Sequence, residues 1–215
     1  NRSLKACPPE PPTPRPFPAV PFLPFSHQLR QAGTRPIFGA MAILKIARLG
    51  HPVLLQRAEQ VADPTAPEMR RLVSDMVETL QDIGGLGLAA PQVHVSLRLF
   101  IWRTAAGGYS ALFNPDIQPL GEETEEAWEG CLSIPGLRGA VERPARIAFR
   151  GQDVAGAVIE GEAAGMAARV MQHEYDHLEG ILYPMRMTDL SRLGFVEELA
   201  RFNAPRAPEN EGQKP

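Results

Sequence analysis

The sequence predicts an α+β fold in which antiparallel or mixed β-sheets pack around a central helix. Three observations carry this. Strand-like and helix-like segments are mixed along the chain rather than alternating, which argues against a parallel βαβ sheet. The stretches ARIAFRGQD and GAVIEGEA read as a strand pair joined through a turn near Asp153 to Gly156. Directly after them, MQHEYDHLEG (171–180) carries two histidines four apart on what reads as the apolar face of a helix.

Taken in order, residues 1–40 stand apart. They hold ten prolines and a single acid, Glu10, against five basic residues, Arg2, Lys5, Arg15, Arg30 and Arg35. Proline fixes φ and removes a backbone donor, so this segment is expected to be disordered, with Cys7 unassigned. It is acid-poor and arginine-bearing like a transit peptide, but serine is scarce and proline spoils an amphipathic helix. Prolines also interrupt the apolar part of any secretory signal. The plainest expectation is that Met41 is the natural start.

From Met41 a short segment leads to a helix near 65–83, with Gly84 or Gly85 at its C-cap. Strands follow at LRLFIW and YSALFNPDIQPL, the second interrupted at Asn114-Pro115. The acidic run GEETEEAWEG reads as a solvated turn between strands. WEGCLSIPG reads as a short extended segment entering a turn at Pro135-Gly136. Ahead of the histidines, GEAAGMAARVMQ is rich in the helix formers alanine and methionine. SRLGFVEELARF is a plausible C-terminal helix, and residues 204–215 form a polar tail expected to be disordered.

His173, Glu174 and His177 form an H-E-x-x-H pattern. On a helix, residues four apart share a face, so both histidines can point at one ion. Glu174 is rotated about 100° from His173 and flanks the ion, placed to take a proton from a water. Met166, Val170, His173 and His177 fall at spacings of four, three and four, so the ligand face continues an apolar face. Unliganded histidines and carboxylates there would be costly to bury. A catalytic metal site wants three protein ligands, however, and this pair supplies two.

Counting tests the third. A metzincin would need histidine at position 183, which is Tyr183. A thermolysin-like site would use a glutamate about twenty residues on, and Glu197 lies there. Upstream, Cys131 offers a thiolate, a strong ligand for zinc or ferrous iron. A buried structural cysteine is the ordinary reading of Cys131 alone. Beside a histidine pair lacking a partner, a Cys-His-His site is the better account.

GLGLAAPQ (85–92), EGCLSIP (129–135) and HEYDHLEG (173–180) resemble, in order and spacing, the three motifs of peptide deformylase. MAILKIARLGHPVLLQRAEQV resembles that family's N-terminus, and the likeness spans about residues 41 to 200. It implies a catalytic domain over 41–203, between tails at 1–40 and 204–215. It implies an enzyme removing the formyl group of N-formylmethionyl peptides as formate. Cys131, His173 and His177 would hold one divalent metal. Ferrous iron is the expected native ion, with zinc, nickel or cobalt able to substitute. Glu174 would take the proton of the attacking water and pass it to the departing amine. Gln92 and the Leu132 backbone N–H would stabilise the tetrahedral intermediate, and substrate backbone would run alongside Gly87.

Other expectations concern substrate. Small residues in GLGLAAPQ let a ligand approach, and Gly87 permits backbone geometry that other residues resist. Leu86, Leu132, Met166 and Val170 are taken together as the lining of a methionine pocket, each being plain core if judged singly. Glu129 and Arg138 are added as substrate contacts, Glu129 also as a group that orients its surroundings. Asp176 is expected to meet an arginine, Arg143 or Arg146. Trp128 stands at the site's rim.

Composition excludes some classes. The chain is mildly acidic, at net −3 over 215 residues, with no footprint for direct nucleic-acid binding. Without residues 1–40 it keeps 17 of its 22 basic and 24 of its 25 acidic residues. Two cysteines give no disulfide framework and point to a reducing compartment, bacterial cytoplasm or, if 1–40 is a transit segment, an organelle. No apolar run approaches the roughly 18 residues of a membrane span. A monomer meeting nascent chains at the ribosome is expected.

Overall fold

The computed structural model describes residues 43–203, so the expectations for the proline-rich segment, Met41, Cys7 and the polar tail lie outside the described residues. Helix α1 spans Pro67–Ile83. Proline suits its first turn, where the missing N–H costs nothing, and Gly84 ends it in the left-handed region, donating to Leu80 O. Strands β1 (Gly87–Ala89), β2 (Leu99–Arg103), β3 (Tyr109–Pro119), β4 (Thr124–Cys131), β5 (Ile134–Pro144), β6 (Arg146–Gln152) and β7 (Val158–Ala164) follow. Helix α2 (Gly165–Leu178), strand β8 (Leu193–Phe195) and helix α3 (Val196–Asn203) complete the order.

The strands form two antiparallel sheets, one ordered β1-β2-β3-β6-β7 and the other β4-β5-β8. Strand β2 explains why the larger sheet has a helix on each face. Its side chains alternate, so Leu99 and Ile101 join Met76 and Leu80 of α1 on one side. Phe100 and Trp102 join Ala168, Met171 and Leu178 of α2 on the other. Both sets are buried, which is why residues 99–102 are apolar without interruption. The smaller sheet has its own cluster, with Ile134 and Val141 packed against Leu54, Leu182 and Tyr183.

Asn114-Pro115 is a bulge within β3 rather than its end. The register shifts between Phe113 and Asp116, and Asn114 has φ 49°. The Asn114 amide then binds both backbone groups of Val61, at 2.8 and 2.9 Å, and fastens the N-terminal segment to the sheet. The far end of α2 is fastened too. Gly180 has φ 72°, and a Cβ there would lie 2.8 Å from the Leu55 carbonyl carbon.

Four expectations change. The acidic run is not a turn, since Thr124–Cys131 is strand β4 at the sheet edge, where Glu125 and Glu126 stay in water and Glu129 is buried. Glu126 pairs with Arg192 and Thr124 donates to Glu142. The turn after Cys131 is only Leu132-Ser133, and Pro135-Gly136 lie at the start of the long strand β5. The helix formers in GEAA belong to β7, so α2 begins at Gly165. The C-terminal helix begins at Val196, because Leu193–Phe195 pair with Leu137–Gly139 of β5.

Candidate metal centre

Cys131 closes β4, where the register with β5 shifts between Gly130 and Cys131 and turns the strand toward α2. Helix α2 presents His173 and His177 one turn apart, with ring centroids 5.1 Å apart. One ligand atom from each of the three residues lies within 4.8 Å of the others. Cys131 Sγ is 3.2 Å from His177 Nε2. Cys131 stands 46 residues before His177 in the sequence, and the fold brings it to the histidine pair.

Behind them stands a buried ionic cage. Glu129 Oε2 meets His173 Nδ1 at 2.9 Å, which leaves Nε2 as the nitrogen free for an ion. Arg143 forks onto Glu129, Nε to Oε1 at 2.6 Å and Nη2 to Oε2 at 2.9 Å. Its Nη1 donates to Asp176 Oδ2 at 2.8 Å, and Arg186 Nη2 donates to Asp176 Oδ1 at 2.6 Å. Of the two arginines expected for Asp176, Arg143 is the partner, and Arg146 instead pairs with Glu162 at the surface. Glu129 borders the cleft expected to take substrate, with both its oxygens engaged by Arg143, Arg169 and His173. Arg169 and Arg186 are cage members that sequence reasoning missed. An arginine one turn before His173 on an apolar helix face was the available signal.

The electrostatics favour positive charge. Burial works against an ionised His173, yet Cys131 and Glu129 outweigh it and raise the imidazole to about 10. Burial also opposes an ionised Glu129, but Arg143 and His173 hold its carboxyl down at about 2. His177 is pushed well below the usual histidine range, first by burial and then by the His173 charge, and so stays neutral. Two imidazoles, one cysteine sulfur and a site that draws a cation fit a borderline divalent metal.

The cage opens onto a cleft of about 1070 Å³. Glu174 is buried at its wall, with Oε2 unpartnered among the described residues. Burial raises its carboxyl to about 7. Gly87 faces it. The expectation that Gly87 needs special backbone geometry is corrected: its φ is ordinary, and what forbids a side chain is space. A Cβ there would sit 2.5 Å from Glu174 Oε1. The Gln92 carbonyl accepts from Ala89 N at 2.8 Å, which turns the amide nitrogen toward Cys131 Sγ and Ser133 Oγ, at 3.5 and 3.4 Å. Leu86, Leu132, Met166, Val170, Trp128 and Arg138 all line the same cleft. They are not equivalent. Val170 packs into the core beneath α2, whereas Met166 is 60% exposed and stands at the rim. Glu197 lies exposed on α3, outside the ligand cluster, which removes the thermolysin-like alternative.

The sequence matches the family described as polypeptide deformylase over residues 43–193. It is 45% identical to peptide deformylase 1 of Nitrosomonas europaea, over 73% of this chain and 94% of that one. It is 47% identical to peptide deformylase 1 of Bordetella pertussis, over 72% and 93%. Among solved structures it resembles a peptide deformylase from Synechococcus elongatus in complex with actinonin, with a TM-score of 0.68 at 32% identity, covering 81% of this chain and 92% of that one. The peptide deformylase of Thermotoga maritima superposes with a TM-score of 0.65 at 40% identity, covering 68% and 99%.

Proposed function

The chain belongs to the peptide deformylase family, and from that premise we propose how its residues remove the formyl group from nascent polypeptides. It is a metal-dependent hydrolase that acts on N-terminal formylmethionine and releases formate. Cys131, His173 and His177 hold the ion. Their convergence within 4.8 Å is the observation that carries this reading. When bound, the metal lowers the pKa of a water and polarises the formyl oxygen.

The remaining work belongs to side chains. Glu174, buried and with one oxygen unpartnered, takes the proton from the attacking water and delivers it to the departing amine. Its Cβ-free neighbour Gly87 lets the formyl end approach that carboxylate. The Gln92 amide, aimed by Ala89, donates to the developing oxyanion together with the Leu132 backbone N–H. Leu86, Leu132 and Val170 enclose the methionine side chain, with Met166 and Arg138 at the rim meeting the residues beyond.

The finer identity of the metal is ferrous iron, with zinc, nickel or cobalt as working substitutes. A thiolate beside ferrous iron is open to oxidation, so the iron enzyme loses activity faster in air than under argon, and equal half-lives would count against iron. No helix among the described residues is long and apolar enough to cross a membrane. We assign the reaction to the reducing bacterial cytoplasm, where Cys131 stays reduced, with a monomer meeting chains at the ribosome. The catalytic unit spans 41–203. The test is formate release from a formyl-Met dipeptide, by the full chain and by a chain begun at Met41, both prepared without oxygen. Both release formate under this reading, and silence from folded, metal-loaded protein would reduce it to a metal-binding shell.

A further inference from the structure

We propose that Arg169 is a positioning residue of the metal centre, the second cation on Glu129, which fixes the carboxylate that orients His173. Arg169 is only 5% exposed and lies one turn before His173 on α2. Its Nη1 donates to Glu129 Oε1 and to the Val141 carbonyl, each at 2.8 Å, and its Nη2 donates to the Glu125 carbonyl. One guanidinium thus ties α2 to the edge strand β4 and to β5 at once.

Its geometry complements that of Arg143. Arg143 approaches Glu129 from β5 with a fork that holds both oxygens in one plane. A single fork leaves the carboxylate free to rock with the strand that carries the arginine. Arg169 reaches Oε1 from the helix that also carries His173, so carboxylate and imidazole are referenced to the same backbone. This matters because the other ligand histidine has no such support: His177 Nδ1 is buried without a partner among the described residues. The orientation of the pair therefore rests on His173 and on what holds Glu129.

Arg169 also lines the cleft, so a pocket-wall role must be separated from a positioning role. The proposal rests on the ligand set given under the proposed function. The experiment uses the full chain loaded with zinc, with Arg169→Met, Arg169→Gln and Arg169→Lys beside the parent and Cys131→Ala. Zinc release to a chelator, kcat and KM for a formyl-Met peptide, and thermal stability are measured on each. Arg169→Met and Arg169→Gln should weaken zinc retention by about 10–100-fold, lower kcat and leave KM nearly unchanged, with Arg169→Lys between them and the parent. If Arg169→Met does not fold, Arg169→Gln decides. Unchanged zinc release with a raised KM would make Arg169 a pocket wall only. A lower melting temperature with unchanged release and kcat would make it structural only. Either result overturns the proposal. Cys131→Ala keeps the premise separate: if it too holds zinc like the parent, the ligand set itself is wrong.

Discussion

The two sheets hold α2 by different means. Against the five-stranded sheet, Ala168, Met171 and Leu178 bury themselves on Phe100, Trp102 and Phe149, and charge enters at the helix end, where Arg98 meets Tyr175 and Glu179. Against the three-stranded sheet, Arg169, His173 and Asp176 meet Glu129 and Arg143, almost wholly through charged hydrogen bonds. Apolar packing is non-directional and fixes where the helix lies. Charged hydrogen bonds are directional and fix how its side chains are turned. A metal centre needs both, and here one face of a single helix supplies each.

Four substitutions would break or sharpen this contrast. Glu174→Gln, which touches neither support, should cut turnover by about 10²–10⁴-fold while metal content stays at the parent's level. Parent-like turnover would remove Glu174 from the chemistry. Phe100→Ala, on the apolar side, should cost about 3–5 kcal/mol of folding stability in a denaturant titration, with zinc affinity of the folded protein unchanged. A matching fall in zinc affinity would show that packing, too, sets ligand orientation. Glu129→Gln, on the charged side, should weaken zinc affinity by about 10–100-fold; equal affinity would leave the cage without a role in ligand orientation. The smallest effect belongs to Glu197→Ala, which should leave zinc content and turnover as they are, since Glu197 is exposed on α3. Loss of zinc there would restore a glutamate as third ligand.

The same contrast decides what the sequence disclosed. Helix α1 was legible because a first-turn proline, an amphipathic pattern and a terminal glycine agree. Strand β2 was legible because both its faces are apolar. Strands β4 and β5 were hidden because their inward positions include Glu129 and Arg143, which look solvated until each is seen to satisfy the other. The H-E-x-x-H spacing disclosed the histidine pair, since four residues on a helix is a local distance. Cys131 came within reach only through the missing third ligand and the three-motif likeness. Arg169 offered only its place one turn before His173, because its partners Glu129, Val141 and Glu125 belong to strands that the sequence pattern did not reveal.

The central claim is that β4 delivers Cys131 to the histidine pair as third ligand. Cobalt substitution tests it directly, because a thiolate bound to cobalt gives a near-ultraviolet charge-transfer band that imidazoles and carboxylates do not. The band should appear in the parent and in Glu174→Gln, and should vanish in Cys131→Ala while the fold is kept. A band that persists in folded Cys131→Ala, or is missing from the cobalt-loaded parent, would contradict the account.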